Sequence, residues 1–221
     1  MLGRPASTTL SGPAGLIEVV REDPAKAPQG LVVIAHPHPL MGGTMDNKVV
    51  HTVARAFVLA GWRAVRFNFR GVGRSEGVWD EGVGEVDDLL AVLATERSDP
   101  TLLGKPVALA GFSFGGFVAA SAYARLAQAS AADPSAAGLP QELVLISPAT
   151  SRYSVPPVPV HTLVVEGEQD DVVPLDSILA WARPQALPVT VIPGTGHFFH
   201  GQLAVLRAVV LRHLRAASGD F

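Results

Sequence analysis

The sequence has no cysteine, and charged residues account for only 17% of its 221 positions. The lack of cysteine excludes disulfides, thiolate chemistry and cysteine-ligated zinc, and it leaves the redox compartment open. A nucleophilic side chain in this protein would therefore have to attack through oxygen. Hydrophobic residues make up 48% of the chain, which is ample for a buried core and gives little sign of disorder.

A surplus of positive charge and long apolar segments are also missing. The formal net charge is −3, so the chain has no basic field that would attract nucleic acid or an anionic membrane. No apolar run approaches the length needed to span a membrane, and residues 1–7 lack the apolar core of a signal peptide. We therefore expect a soluble cytoplasmic protein that binds neither nucleic acid nor membranes, and the sequence leaves its oligomeric state open.

Strand-like and helix-like patterns alternate from about residue 30 to the end of the chain. Short apolar runs typical of buried parallel strands fall at residues 31–35, 63–69, 107–110, 143–146, 163–165 and 189–192. Amphipathic helical patterns fall at residues 50–58 and 86–93, after residue 113, and at 203–214. Residues 16–20 predict an earlier, antiparallel strand. The alternation predicts an α/β protein with a mostly parallel sheet, and the length suits a single domain over residues 1–221.

Two segments refine this prediction. The run at residues 63–69 alternates polar and apolar side chains, which predicts a strand nearer a sheet edge or one lying under polar neighbours. Residues 148–160 are too few and too rich in proline to form a helical cap. We therefore expect no lid in that segment.

The most informative motif is the sequence Gly-Phe-Ser-Phe-Gly at residues 111–115, directly after a predicted strand. A G-x-S-x-G sequence in this position is typical of a nucleophile elbow, a sharp turn that exposes a serine hydroxyl at a strand end. The flanking glycines fit such a turn, because side chains there would clash with nearby backbone. Ser113 is thus a candidate nucleophile. The alternative is an ordinary strand-to-helix loop in a chain with 22 glycines.

Two later loops favour the elbow. An α/β-hydrolase requires an acid and then a histidine after the serine, each in a loop that follows a later strand. The acidic loop at residues 168–174 follows one predicted strand, and His197 follows the next. Asp170 and Asp171 are both candidates for the acid, but adjacent side chains diverge, so only one can reach the imidazole. In this arrangement His197 would take the proton of Ser113, and the aspartate would orient His197.

An oxyanion hole needs backbone N–H donors beside the serine. One should be Phe114, the residue after the nucleophile, at the start of a helix. The second should come from the loop at residues 36–43, where the prolines have no N–H; we prefer His38, with Leu40 as the alternative. A metal site built from His36, His38 and His51 is disfavoured, because prolines alternate with the histidines and no carboxylate stands at ligand spacing.

Three other features have simple interpretations. The segment at residues 69–75 lacks the glycine and lysine spacing of a nucleotide-binding loop. The acidic residues Glu85, Asp87 and Asp88 are interpreted as the first turn of a helix, where the dipole favours them. His200 is interpreted as a packing or rim residue on the final helix.

Several motifs together resemble one protein family: residues 36–48, 66–73, 111–115 and 195–199. The chain resembles the small lidless bacterial α/β-hydrolases, which are predicted serine hydrolases distantly similar to dienelactone hydrolase, over about residues 12–213. The resemblance implies an α/β-hydrolase fold with helices on both faces of the sheet, no lid, no cofactor and an esterase-like activity. Its G-x-x-D pattern, counted from Gly167, implies Asp170 as the acid and leaves Asp171 as a rim residue or helix cap. Dienelactone hydrolase uses a cysteine, so its lactone specificity is not implied.

The sequence therefore predicts a serine hydrolase that cleaves carboxylic esters of small soluble substrates through an acyl-enzyme on Ser113, without metal or cofactor. A thioesterase or acyltransferase with the same three residues is an alternative. A non-catalytic binding protein on the same scaffold is another, since fold does not determine function. A decayed member would be expected to lack at least one of the three residues, and this chain keeps all three in order.

Overall fold

The computed structural model describes residues 6–133 and 138–218, which form eight strands and five α-helices. The strands are β1 (Thr8–Gly12), β2 (Gly15–Glu22), β3 (Leu31–Ala35), β4 (Arg63–Phe67), β5 (Val107–Phe112), β6 (Glu142–Ile146), β7 (Leu163–Gly167) and β8 (Val189–Ile192). The helices are α1 (Lys48–Leu59), α2 (Val83–Arg97), α3 (Phe114–Ala132), α4 (Leu175–Ala182) and α5 (Leu203–Ser218). Short 3₁₀ turns lie at Pro39–Met41, Pro100–Leu102 and Arg183–Gln185.

All eight strands belong to one sheet in the order β1-β2-β4-β3-β5-β6-β7-β8. The hairpin of β1 and β2 is antiparallel, and β2 also pairs antiparallel with β4. From β4 to β8 every neighbouring pair is parallel. The register across the centre aligns Val33 with Val65 on one side and with Leu109 on the other. The carboxyl ends of β3 and β5 to β8 therefore lie along one edge of the sheet.

Helices cover both faces of this sheet, and the alternation of side chains along β3 shows why. Val32 and Ile34 point into a core shared with α1 and α5. Leu31, Val33 and Ala35 point the other way, into a core shared with α2 and α3. Because both faces of β3 are buried, the strand consists of apolar residues alone, as in other parallel sheets.

The alternating α/β pattern predicted from the sequence is confirmed in element order and type. The sequence prediction did not include β1 or α4. The strand that begins at residue 63 does not lie at an edge, because β4 is held between β2 and β3. Its polar residue Arg66 is buried on the sheet and reaches Glu22 and the backbone of Met45, so the strand lies under polar neighbours.

The connection between β6 and β7 contains turns and extended backbone but no helix, in agreement with the expected absence of a lid there. Within the described residues, no helix is both long and apolar enough to cross a membrane.

The interpretation of the acidic residues near the start of α2 is only partly right. Glu85 does lie in the first turn, where its carboxylate accepts hydrogen bonds from the backbone N–H groups of Gly82 and Asp80. Asp88 instead lies beyond the first turn and is fully buried. It accepts hydrogen bonds from the Arg70 guanidinium and from the Arg70 backbone N–H. The pair joins the loop after β4 to α2.

This difference predicts losses of stability of different size for two neighbouring substitutions. Asp88→Ala removes the hydrogen bonds of the Arg70 guanidinium and leaves it only the exposed Asp80 at 3.6 Å, so the free energy of unfolding should fall by about 1.5–3 kcal/mol. Asp87→Ala is the matched control, because Asp87 forms an exposed ion pair with Arg125 and should cost less than about 1 kcal/mol. Urea denaturation of both variants measures the difference. Equal losses would contradict a structural role for the buried pair.

Candidate active site

The residues singled out from the sequence meet at the carboxyl edge of the sheet. Ser113 follows β5, Asp170 follows β7 and His197 follows β8. The loop that carries His38 follows β3, which pairs directly with β5. This is the edge at which open α/β sheets bind their ligands.

Ser113 occupies a strained turn between β5 and α3. Its φ of 57° lies in a region that non-glycine residues rarely adopt. A Cβ added to Gly111 would lie 2.0 Å from the carbonyl oxygen of Gly115, and one added to Gly115 would lie 2.3 Å from the carbonyl oxygen of Ala35. The two glycines are therefore required by close backbone contacts, as the elbow motif predicts, and neither has a positive φ.

The structure brings the three candidate side chains together in one hydrogen-bonded chain. Nε2 of His197 lies 3.0 Å from Oγ of Ser113, and Nδ1 of His197 lies 2.6 Å from Oδ2 of Asp170. Ser113, Asp170 and His197 are 7%, 6% and 4% exposed, so these three side chains are almost inaccessible to solvent. The serine end is the part that borders a cleft.

The backbone of its own loop holds Asp170. Oδ1 accepts hydrogen bonds from the N–H groups of Val172 and Val173, which leaves Oδ2 for His197. Burial by itself raises the pKa of Asp170, but the hydrogen bonds that it accepts, first among them the one from His197, lower the pKa below its usual value. Asp170 is thus an anion placed against the imidazole.

The neighbouring Asp171 is exposed to solvent. The helix that follows begins at Leu175 with Pro174 as its cap residue, so Asp171 does not cap it. Of the two roles suggested for Asp171, the cap is wrong and a rim position agrees with its exposure.

Aromatic side chains hold the His197 ring. It packs against Phe112 and Phe198, with ring centroids 4.8 and 5.1 Å away. His200 does not lie on the final helix as expected, because it precedes the start of that helix at Leu203 and lies in an exposed turn. Its ring contacts that of Phe198, which agrees with a rim position.

The two predicted oxyanion donors both border the cleft beside Ser113. Within the described residues, the backbone N–H groups of Phe114 and His38 donate to no other protein group. Phe114 is the first residue of α3, where N–H groups have no partner inside the helix. Leu40, the alternative to His38, lies in the 3₁₀ turn, is 68% exposed and does not line the cleft.

The loop that carries His38 is tightly folded. The carbonyl oxygen of His38 accepts hydrogen bonds from the N–H groups of Met41 and Gly43. A Cβ on Gly43 would lie 2.0 Å from the carbonyl oxygen of Pro37, so only glycine fits there. The His38 ring packs on Trp79 and Phe114. Burial, together with the charge of Arg152, lowers the pKa of His38, which keeps this ring neutral at pH 7.

Two polar side chains on and just after β4 support this loop, and the sequence analysis did not assign them a role. The Asn68 side chain accepts a hydrogen bond from the N–H of Met45, and Arg66 donates to the carbonyl oxygen of Met45. Asn68 is held in turn by Glu18. Their only signal in the sequence was that two polar residues lie within the otherwise largely apolar run at residues 63–69.

His36 acts as a structural bridge. It is fully buried, its Nδ1 lies 2.6 Å from the carbonyl oxygen of Pro37, and its Nε2 accepts a hydrogen bond from the Phe69 N–H. Burial lowers the pKa of His36 to about 3, so the ring is neutral. Both ring nitrogens are therefore engaged by the protein. Among the residues that the structure describes, no three His, Cys, Asp or Glu side chains are grouped so that they could hold a metal ion.

The cleft above Ser113 has a volume of about 300 Å³. Its walls are mostly apolar, and the apolar and aromatic side chains that line it are those of Pro37, Met41, Phe114, Ala149, Tyr153, Val172, Val173 and Phe198. Met41 and Phe198 are 77% and 44% exposed, so the apolar wall continues to the rim. Among the described lining residues Arg152 is the permanently charged one, and no carboxylate takes part. The cleft therefore suits a small, largely apolar group.

The sheet order and the serine at the β5 elbow define the class of protein: an α/β serine hydrolase without a lid. The chain belongs to the family described as serine aminopeptidase, S33, which matches residues 26–167.

Two similar proteins agree with this assignment. A lidless α/β serine hydrolase from Xanthomonas campestris is 34% identical, with a TM-score of 0.84 over 98% of this chain and 96% of that chain. An uncharacterized protein of Rickettsia prowazekii is 30% identical over 86% of this chain and 80% of its own length.

The resemblance to dienelactone hydrolase extends to the fold. A dienelactone hydrolase from Anabaena variabilis has a TM-score of 0.72 at 18% identity, over 96% of this chain and 97% of that chain. The expected membership among lidless α/β-hydrolases is confirmed, and this more distant likeness concerns the fold alone.

Proposed function

We propose that the protein hydrolyses carboxylic esters of small soluble molecules through an acyl-enzyme on Ser113. The observation that carries the proposal is the hydrogen-bonded chain from Ser113 through His197 to Asp170. The reaction needs no metal and no cofactor. Location in the cytoplasm stays a prediction from composition.

Each residue has one role in the proposed reaction. Nε2 of His197 takes the hydroxyl proton as Oγ of Ser113 attacks the ester carbonyl, and Asp170 stabilises the imidazolium that forms. The backbone N–H groups of Phe114 and His38 donate to the oxygen that becomes negative. His197 returns the proton to the leaving alcohol, the C–O bond breaks and the acyl group stays on Ser113. Water, activated by His197, then releases the acid.

The charges of the cleft favour an ester over the amino terminus of a peptide. An aminopeptidase must recognise a free ammonium group, and a carboxylate is the side chain that stabilises such a charge when it is desolvated. The described residues that line the cleft include Arg152 and no Asp or Glu. A neutral ester has no charge to desolvate, so it can bind in this cleft without a carboxylate partner.

A labelling experiment tests the nucleophile. Purified protein should react with a fluorophosphonate probe, because an activated serine beside N–H donors is readily phosphonylated. Ser113→Ala should not be labelled, and circular dichroism should show that it is folded. A folded wild-type protein that resists the probe would contradict the proposal.

A substrate panel separates the remaining functions. We expect turnover of p-nitrophenyl butyrate and none of alanine p-nitroanilide. Faster turnover of a butyryl thioester would favour a thioesterase, and esters formed on an added alcohol would favour an acyltransferase. Ligand binding without any turnover would favour a binding protein on this scaffold.

Two adjacent aspartates provide a matched test of the acid. Asp170→Asn would favour the wrong tautomer of His197, and kcat should fall by about 10³- to 10⁴-fold. Asp171→Asn removes an exposed carboxylate, and kcat should fall by about tenfold or less, which corresponds to about 1.4 kcal/mol of barrier. Steady-state kinetics on both purified variants give the comparison. A larger loss in Asp171→Asn would reverse the assignment of the acid.

The open cleft predicts the substrate size. With no helix between β6 and β7 to act as a lid, the site has nothing to open at a lipid surface. Rates measured on a series of p-nitrophenyl esters should fall as the acyl chain grows beyond what the cleft of about 300 Å³ can bury. A sharp rise in rate above the solubility limit of the substrate would contradict this prediction.

A further inference from the structure

Behind Asp170 lies a second carboxyl group that the proposed reaction does not use. Glu166 lies on β7, four positions before Asp170, and its side chain is fully buried. Buried glutamates without a basic partner are rare, because removing the charge from water is costly. Within the described residues, no Lys or Arg side chain bonds to Glu166. The side chain therefore needs another explanation.

The contacts of Glu166 divide between its two oxygens. Oε1 accepts hydrogen bonds from Oγ of Ser147 and from the N–H of Gly167, each at 2.9 Å. Oε2 is buried and receives no donor from the described protein. The carboxyl group of Asp170 lies against that of Glu166, and the interaction between the two side chains raises the pKa of Glu166 and lowers that of Asp170. A hydrogen bond between two carboxyl groups requires one of them to carry a proton.

The surroundings place this proton on Glu166. Burial, reinforced by the hydrogen bond and the negative charge of Asp170, raises the pKa of Glu166 to about 9. Asp170, in contrast, accepts two backbone N–H bonds and faces the imidazole of His197, and its pKa is lowered. The titratable groups that face Glu166 are thus Asp170 and, behind it, His197. One site holds a neutral acid next to an anion.

We propose that Glu166 is a positioning residue: as a neutral carboxylic acid it donates a hydrogen bond to Asp170 and fixes the carboxylate that orients His197. Ser147 and Gly167 hold the donor in place from the other side. Glu166 adds a donor without adding a charge, so Asp170 remains the one anion beside the imidazole. The proposal rests on the proposed function, because it assigns Glu166 a role in the same reaction.

Two substitutions test the role in the reaction. Glu166→Gln keeps a neutral donor toward Asp170 and an acceptor for Ser147, so kcat should stay within about twofold of wild type. Glu166→Leu removes the donor, and kcat should fall by about 10- to 100-fold with KM unchanged, as expected for the loss of a hydrogen bond to a charged group. A merely space-filling role would leave kcat similar in both variants, because Gln and Leu both fill the site and only Gln can donate to Asp170. An unchanged kcat in Glu166→Leu would overturn the proposal.

The melting temperature as a function of pH tests where the proton lies, independently of activity. Unfolded Glu166 ionises above pH 4.5, whereas the folded state keeps its proton up to about pH 9, so the folded wild-type protein loses stability across this window. Glu166→Gln has no such loss. The Tm of Glu166→Gln minus that of wild type should therefore increase from pH 4.5 to pH 9. Glu168→Gln, which removes an exposed carboxylate two residues away, is the control and should show no such increase.

The outcomes separate this proposal from the proposed function. A Tm difference for Glu166→Gln that stays flat across the window would mean that Glu166 is ionised in the folded protein, and it would overturn the proposal. If Glu166→Leu does not fold, the Gln variant decides: wild-type kcat with a rising Tm difference supports the proposal, and a flat difference overturns it. Failure of the wild type to turn over esters or to react with the fluorophosphonate would instead contradict the proposed function.

Discussion

Close contacts between backbone segments at glycines determine the shape of this site. Gly115 lies against the carbonyl of Ala35, which joins the serine elbow to the loop that carries His38. Gly167 lies against the carbonyl of Thr195 in the same way, with 2.4 Å left for a Cβ, and joins the acid loop to the histidine loop. In a protein interior, backbone atoms at such distances cannot yield to a side chain. Within each of these two pairs of loops, the close approach therefore depends on the absence of one Cβ atom.

Buried polar side chains add a second constraint on the same edge of the sheet. Arg66 and Asn68 hold the backbone of Met45, and Arg70 is paired with Asp88 under α2. Each of these groups is desolvated and would be costly without its partner. The loops at the carboxyl edge are thus held by polar side chains on and just after β4 and by the backbone contacts at the glycines. For the proposed reaction, such rigid surroundings would keep the N–H groups of Phe114 and His38 in place before a substrate binds.

The parts that the sequence predicts are those with a local pattern. Apolar runs and the G-x-S-x-G motif depend on residues that are close in the chain. The positions of Ser113, Asp170 and His197, each just after a predicted parallel strand, placed them at one edge of the sheet. The short helix α4 and the hairpin partner β1 lack a strong pattern of this kind. Buried polar pairs are harder still, since Asn68 meets Glu18 across 50 positions. A single sequence gives no indication that two polar residues so far apart are in contact.

Glu166 shows the same difficulty at the site itself. It directly follows the predicted strand at residues 163–165, and nothing nearby in the sequence indicates Ser147 or Asp170 as its neighbours. The sequence shows that Glu166 lies next to a buried strand. Only the tertiary structure shows that its carboxyl group lies behind Asp170. The prediction therefore found the residues of the hydrogen-bonded chain and missed the group behind them.

The carboxyl groups of Glu166 and Asp170 also bear on how the buried site would stabilise the transient positive charge of His197 in the proposed reaction. In the proposed reaction His197 becomes positive in surroundings where water contributes little, so a single anion beside it stabilises the imidazolium strongly. A second anion at Glu166 would hold the proton on the imidazole more firmly and would hinder its return to the leaving alcohol, since a good acid–base group must release a proton as readily as it accepts one. A neutral Glu166 keeps the total charge of Glu166 and Asp170 at −1. In the proposed reaction, the burial that makes ionisation of Glu166 unfavourable would therefore also balance the two halves of the proton transfer.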